Sequence, residues 1–181
     1  GEVIFRSIPI CCKTVIGALA LSVLGLSGVL AAPAPELAAV LVVTNESGRE
    51  TRLAADDLRT MPRTQAQVKG RDGELATYEG VTLAQLLERA GVTLGKSLRG
   101  PRLASYLLVE AADGYRVVFA LPELDPASTD QLVLLADRKD GQPLSAKEGP
   151  WRIVVPDEKQ HSRWIRQVMS MRVVSAPPAA R

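Results

Sequence analysis

Apolar positions recur along this chain with two different periods. Ala39 to Thr44 is a Val/Leu-rich run closed by Asn45-Glu46-Ser47-Gly48, the signature of a short strand and its turn. Leu53, Leu58 and Met61, with Asp56 and Asp57 between them and Pro62 behind, predict a short helix over 53–61. Thr64 to Lys69 and Glu74 to Glu79 flank Gly70-Arg71-Asp72-Gly73 and predict a hairpin. The helical period is clearest after Thr82. Leu83, Leu86, Leu87 and Ala90 share one face there, with Thr82 placed to cap the first turn and Gly91 to end the last. Ala104 to Ala111 and Tyr115 to Leu121 predict a second hairpin around Asp113-Gly114, followed by a brief turn or helical piece at Pro122-Glu123-Leu124. Gln131 to Ala136, Trp151 to Val155 and Met169 to Val174 complete the strands, with Asp140-Gly141 as another turn. Many short strands and one firm helix predict a single α+β domain, strand-rich, over residues 35–174. Ser175 to Arg181 is an Ala/Pro tail with nothing to bury, expected to be disordered.

The first 34 residues have a different character. Arg6 and Lys13 precede an apolar run from Val15 to Leu30, and Ala32-Pro33-Ala34 supplies small residues after it. Basic start, apolar middle and small-residue exit predict a signal peptide over 1–34 and hence export to the periplasm. The alternative is an N-terminal membrane anchor, since the run approaches spanning length.

That division changes the chemistry available. Cys11 and Cys12, the two cysteines of the chain, precede the apolar run and are expected to leave with the leader. The remainder then has no disulfides, no thiol nucleophile and no thiolate for a metal. Residues 1–34 hold two basic groups and one acid of the 22 and 20 in the whole chain, which leaves 20 basic against 19 acidic groups. So even a balance predicts no nucleic-acid partner, because phosphate neutralisation needs a basic excess. A single histidine, His161, rules out a histidine pair for zinc; after a Pro-Asp loop it is expected to be solvated rather than a general base. Asp125, Asp130, Asp137 and Asp140 lack calcium-loop spacing and read as turn formers. Phosphate-cradling glycine loops and serine elbows are also missing.

One ordered series is more specific. Ala112-Asp113-Gly114-Tyr115 opens a strand, Leu134-Leu135-Ala136-Asp137 ends another, and Asp140-Gly141-Gln142-Pro143-Leu144 follows as a turn. Gly149-Pro150-Trp151-Arg152-Ile153-Val154-Val155-Pro156 comes next, then Arg163-Trp164-Ile165-Arg166. Upstream, Glu79-Gly80-Val81 leads into Leu83 and Leu86-Leu87. Over roughly residues 37–174 this order resembles the molybdopterin-binding domain of sulfite-oxidase-like proteins, with its Gly-Pro-x-Arg-x-x-x-Pro, basic-Trp and Gly-Val-x-Leu-x-x-Leu-Leu elements. The resemblance implies the strand-rich sulfite-oxidase-type fold with one or two short helices, and a pterin or molybdopterin-like ligand. The family's oxidoreductases hold molybdenum through a cysteine thiolate, so no molybdenum is expected through Cys in the exported form. The resemblance therefore implies a non-catalytic periplasmic pterin-binding protein of the kind that serves as a ligand sensor for a membrane-bound signalling partner. The alternatives are a molybdopterin-dependent oxidoreductase using a non-sulfur ligand, and a protein-interaction module with no ligand.

A pterin is flat and polar, so it asks for an aromatic or guanidinium face and for groups that meet its N–H edge. Tyr115, Trp151 and Trp164 are the candidate platforms, Arg152 and Arg166 the candidate guanidinium partners, and Asp137 or Glu110 the candidate acceptors. Gly149 permits close backbone approach. Each also has a bland role. Trp151 can alternate into the core, Trp164 can anchor the last strand, Arg152 can pair with Asp137, and Tyr115 can fill a cross-strand pair.

Overall fold

The computed structural model describes residues 39–70 and 73–177. The expected leader over 1–34 with Cys11 and Cys12, and the end of the tail, lie outside them. Among the described residues two five-stranded sheets share one hydrophobic core. The first has the order β2 (Glu50–Ala54), β1 (Val40–Thr44), β10 (Val168–Val174), β5 (Tyr106–Ala111), β6 (Arg116–Ala120). Its pairs are antiparallel except β1 with β10, which run parallel and bring the two ends of the domain together. The second has the path β3 (Thr64–Lys69), β4 (Leu75–Thr82), β7 (Leu134–Lys139), β8 (Gln142–Pro143), with β9 (Arg152–Val154) also on β7. The strand-rich α+β expectation holds.

Local chemistry explains the elements. Leu41 and Val43 alternate into the core along β1, as a half-buried strand requires. Asn45 Oδ1 then accepts from the Ser47 and Arg49 amides at 3.1 and 3.0 Å, which makes the turn into β2. Here the expected helix over 53–61 is shortened. Leu53 belongs to β2, facing Leu41 across the ladder, and helix α1 spans only Ala55–Arg59. The Ala54 amide donates to Asp57 Oδ2 at 2.8 Å and marks where strand becomes helix. One buried apolar residue in a five-residue strand leaves too little alternation to be seen in the sequence.

Helix α2 (Leu83–Arg89) behaves as its sequence asks. Thr82 Oγ1 accepts from the Gln85 amide and Gln85 Oε1 accepts from the Thr82 amide, both at 3.3 Å. Leu83, Leu86 and Leu87 are buried, and Gly91 (φ +82°) ends the helix. A third helical turn, α3, spans Leu121–Leu124.

Strand β7 begins three residues later than the expected 131–136 and runs on through Asp137-Arg138-Lys139. Its first half, Leu134 to Ala136, is buried between β4 and β9; its polar half continues into the two-residue β8 through the Asp140-Gly141 turn. Hydrophobicity stops where burial stops, before the ladder does. Opposite this point, between Glu79 and Gly80, the β4–β7 register shifts.

Candidate functional site

A cleft of about 1040 Å³ lies where the β3–β4 and β7–β8 ends of one sheet meet the β5–β6 turn of the other and the segment 161–167. Its volume is at the upper end of small-molecule sites. Tyr78 projects into it from β4, next in the inward alternation after Ala76. Arg152, at the first position of β9, donates from Nη1 to the Tyr78 hydroxyl at 3.2 Å and pairs with the Glu148 carboxylate. The guanidinium carbon lies 5.5 Å from the Tyr78 ring centre and 5.6 Å from that of Trp164. Tyr78 and Trp164 meet edge to face, with ring centres 6.2 Å apart at 87°. His161 lies flat on Trp164 at 3.8 Å and 15°. Three aromatic rings and one guanidinium therefore form a continuous surface at the cleft.

The polar rim is uneven. Lys139, Lys147 and Arg166 line the cleft, and no carboxylate among the described residues stands within ion-pair distance of them. Asp113 and Asp140 also line it, but each accepts a backbone amide: Asp113 Oδ1 from Tyr115 at 3.0 Å and Asp140 Oδ1 from Thr77 at 2.8 Å. The Tyr115 hydroxyl donates to the Ser162 carbonyl at 2.9 Å, joining the β5–β6 turn to the 161–163 turn across the mouth.

Of the eight residues singled out from sequence, the structure brings Tyr115, Arg152, Trp164 and Arg166 to the cleft. Trp151 lies elsewhere. It is 1% exposed, in the core, because the residue before β9 points inward while its neighbour Arg152 points to the cleft. Gly149 packs its Cα side against Leu144 and the Ser145 carbonyl, away from the lining. Asp137 is engaged by Arg63, which donates to both of its oxygens, one at 3.1 Å. The ion pair considered between Arg152 and Asp137 is thus replaced by two, Arg152–Glu148 and Arg63–Asp137. Glu110 faces Arg116 across the β5–β6 ladder. His161 is half-buried and stacked, not solvated as expected, because its three-residue 3₁₀ turn folds back on Trp164.

Sequence reasoning missed Tyr78, Glu148 and the two lysines. Tyr78 had a signal: it stands two residues before the Gly80-Val81 element and keeps the inward parity of β4. Glu148 stands four residues before Arg152, a spacing that needed the intervening turn to become a contact.

Arg63 also reaches Glu79, donating from Nε to Oε1 at 3.2 Å. Its pKa is held above the ordinary guanidinium value, chiefly by the Asp137 hydrogen bond. Glu79 is held below the ordinary carboxylate range, first by the Gln65 side-chain amide and then, against partial burial, by Arg63. A carboxyl whose folded pKa is depressed adds stability above its unfolded pKa and loses it as pH falls through the folded one. The Glu79→Gln variant is therefore expected to flatten the acid limb of the stability curve. Urea midpoints at pH 7 and pH 3 should differ less in the variant than in the parent chain; equal differences would contradict this role.

Two residues of the cleft lining each carry a buried N–H donor with no acceptor among the described residues, Arg152 Nε and Trp164 Nε1. Orphaned donors of this kind are uncommon in folded proteins and suit an acceptor-bearing ligand. The aromatic rings and these donors fit a pterin ring. They do not fit thiolate metal ligation: residues 39–177 contain no cysteine, and the described residues hold no group of three or more His, Cys, Asp and Glu arranged around a metal.

Comparisons with known proteins agree with this architecture. The chain is similar in fold to the sulfane dehydrogenase SoxCD from Paracoccus pantotrophus, with a TM-score of 0.57 and 20% identity over 75% of this chain. The match spans 38% of the SoxCD chain, so the two share a domain and not a whole protein. No curated protein matches. The family model for the oxidoreductase molybdopterin binding domain matches residues 32–180, and the chain belongs to that family.

Proposed function

We propose that the cleft binds a pterin-bearing ligand without a redox step of its own, in an exported protein that passes ligand occupancy to a membrane signalling partner. The observation that carries the ligand reading is the pair of buried, acceptorless donors, Arg152 Nε and Trp164 Nε1, beside an aromatic surface. A pterin presents ring nitrogens and a keto oxygen as acceptors, and Arg152 suits them because its guanidinium is planar and permanently charged. Tyr78 and Glu148 both hold its Nη1, so the guanidinium meets a ligand already oriented. Molybdopterin would add redox chemistry only with a metal seated on it, and the cleft offers no sulfur of the protein's own to such a metal. Export rests on the leader-like residues 1–34.

The oxidoreductase reading has two observations behind it: the family is described as an oxidoreductase domain, and the structural neighbour is a dehydrogenase. Substantial molybdenum copurifying from a cofactor-competent host would favour it. Pterin binding itself is tested by calorimetric titration of the parent chain and of Arg152→Gln. The parent is expected to bind pterin with micromolar affinity. Loss of a charge-assisted hydrogen bond should weaken Arg152→Gln by about ten- to a hundred-fold. No heat of binding by the parent at millimolar pterin would refute the proposal.

A further inference from the structure

We infer that Gln167 is a positioning residue of the cleft, setting the Arg152 guanidinium for a ligand by way of Glu148; this rests on the pterin reading above. Among the described residues two that are not glycine lie in the left-handed region, Asp140 (φ +50°) and Gln167 (φ +51°). Asp140 belongs to the tight turn between β7 and β8, and Asp is a residue type that accepts this region. Gln167 stands in no hairpin turn but just ahead of β10, where glycine would hold the same backbone without strain. Strain kept at a residue that lines the cleft points to a use of its side chain.

The Gln167 side chain donates from Nε2 to the Ala146 carbonyl at 2.9 Å. Its amide donates to the Glu148 carbonyl at 3.0 Å, so one residue grips the chain on both sides of Lys147. The Val168 amide donates to the Trp151 carbonyl, also at 3.0 Å. Successive amides of an extended strand point to opposite sides; both reach the 148–151 segment because Gln167 between them is left-handed. The Gln167 carbonyl accepts from the Ala112 amide at 3.0 Å, which ties the same residue to the β5–β6 turn.

Glu148 leaves this clasp with the carboxylate that pairs with Arg152, four residues on. The 145–149 turn has bonds of its own, from the Glu148 and Gly149 amides to the Ser145 carbonyl at 2.9 and 2.8 Å. Those bonds shape the turn, and Gln167 places it at the cleft. A displacement of about 1 Å is enough to loosen a binding site. Here it would take Glu148 away from Arg152, whose Nη1 would keep the Tyr78 hydroxyl and lose its anionic partner.

Two variants separate this role from a contribution to stability. Gln167→Gly removes the side-chain donor and relieves the backbone; Gln167→Met removes the donor and keeps the strain. Gln167→Gly should therefore melt above Gln167→Met. Both should bind pterin about three- to ten-fold more weakly than the parent chain in calorimetric titration. In a double-mutant cycle, adding Gln167→Gly to Arg152→Gln should cost no further affinity, because Gln167 acts through that guanidinium. If one variant does not fold, the other carries the cycle. Parent-like affinity in the variants, affinities that follow their melting order, or losses that add in the cycle overturn the inference and leave the pterin reading standing. Failure of the parent chain to bind pterin removes the reading and the inference together.

Discussion

The Gly80→Ala variant is expected to melt on the order of 10 °C below the parent chain, or not to fold. A Cβ built on Gly80 falls 1.9 Å from the Leu135 carbonyl oxygen and 2.6 Å from the Ala136 Cα. Both are backbone atoms of β7, itself held between β4 and β9, so neither can yield as a flexible side chain would. Overpacking in a core costs about 1–3 kcal/mol and more where backbone must shift. A domain of this size loses roughly 2–4 °C per kcal/mol. The contrast is Gly91→Ala. There φ is +82° but the nearest atom to an added Cβ is the Asn45 side-chain nitrogen at 3.6 Å. It should cost only the left-handed backbone strain, about 1–2 kcal/mol. Equal melting points for Gly80→Ala and the parent would show that the β4–β7 approach is looser than described.

The Trp151→Ala variant comes second, with an expected loss of about 3–5 kcal/mol, as for other buried Trp truncations. Trp151 is among the largest fully buried side chains, and its carbonyl accepts from the Val168 amide at 3.0 Å where β10 begins. Its neighbour Arg152 faces the cleft. Stability and binding should therefore separate at adjacent positions. Trp151→Phe should lower the urea midpoint and leave pterin affinity unchanged; Arg152→Gln should lower affinity with a smaller effect on the midpoint. A Trp151→Phe protein that folds but binds pterin ten-fold more weakly would place Trp151 in the site after all.

How much could be read from the chain depended on how local the cause was. Helix α2 was readable because its cap, its apolar face and its terminal glycine are consecutive in sequence. The hairpins around Gly70–Gly73 and Asp113-Gly114 were readable for the same reason. The parallel β1–β10 pair was not, because it joins the two ends of the domain. Within the site, Arg152, Trp164, Arg166 and Tyr115 were visible as residue types in a familiar order, but parity on β9 decided that Arg152 and not Trp151 faces the cleft. The engagement of Asp137 by Arg63 is not legible in the sequence, because Arg63 stands 74 residues away. The stack of His161 on Trp164 depends on a 3₁₀ turn that sets residues three apart over one another, which no hydrophobic pattern reports.

Native mass spectrometry asks most directly whether the cleft is a pterin site. The full chain, produced in cells that make molybdopterin, should carry a one-to-one adduct whose fragments contain the pterin ring, and Arg152→Gln should lose it. Bare protein in repeated preparations, or an adduct that contains no pterin, would contradict the account.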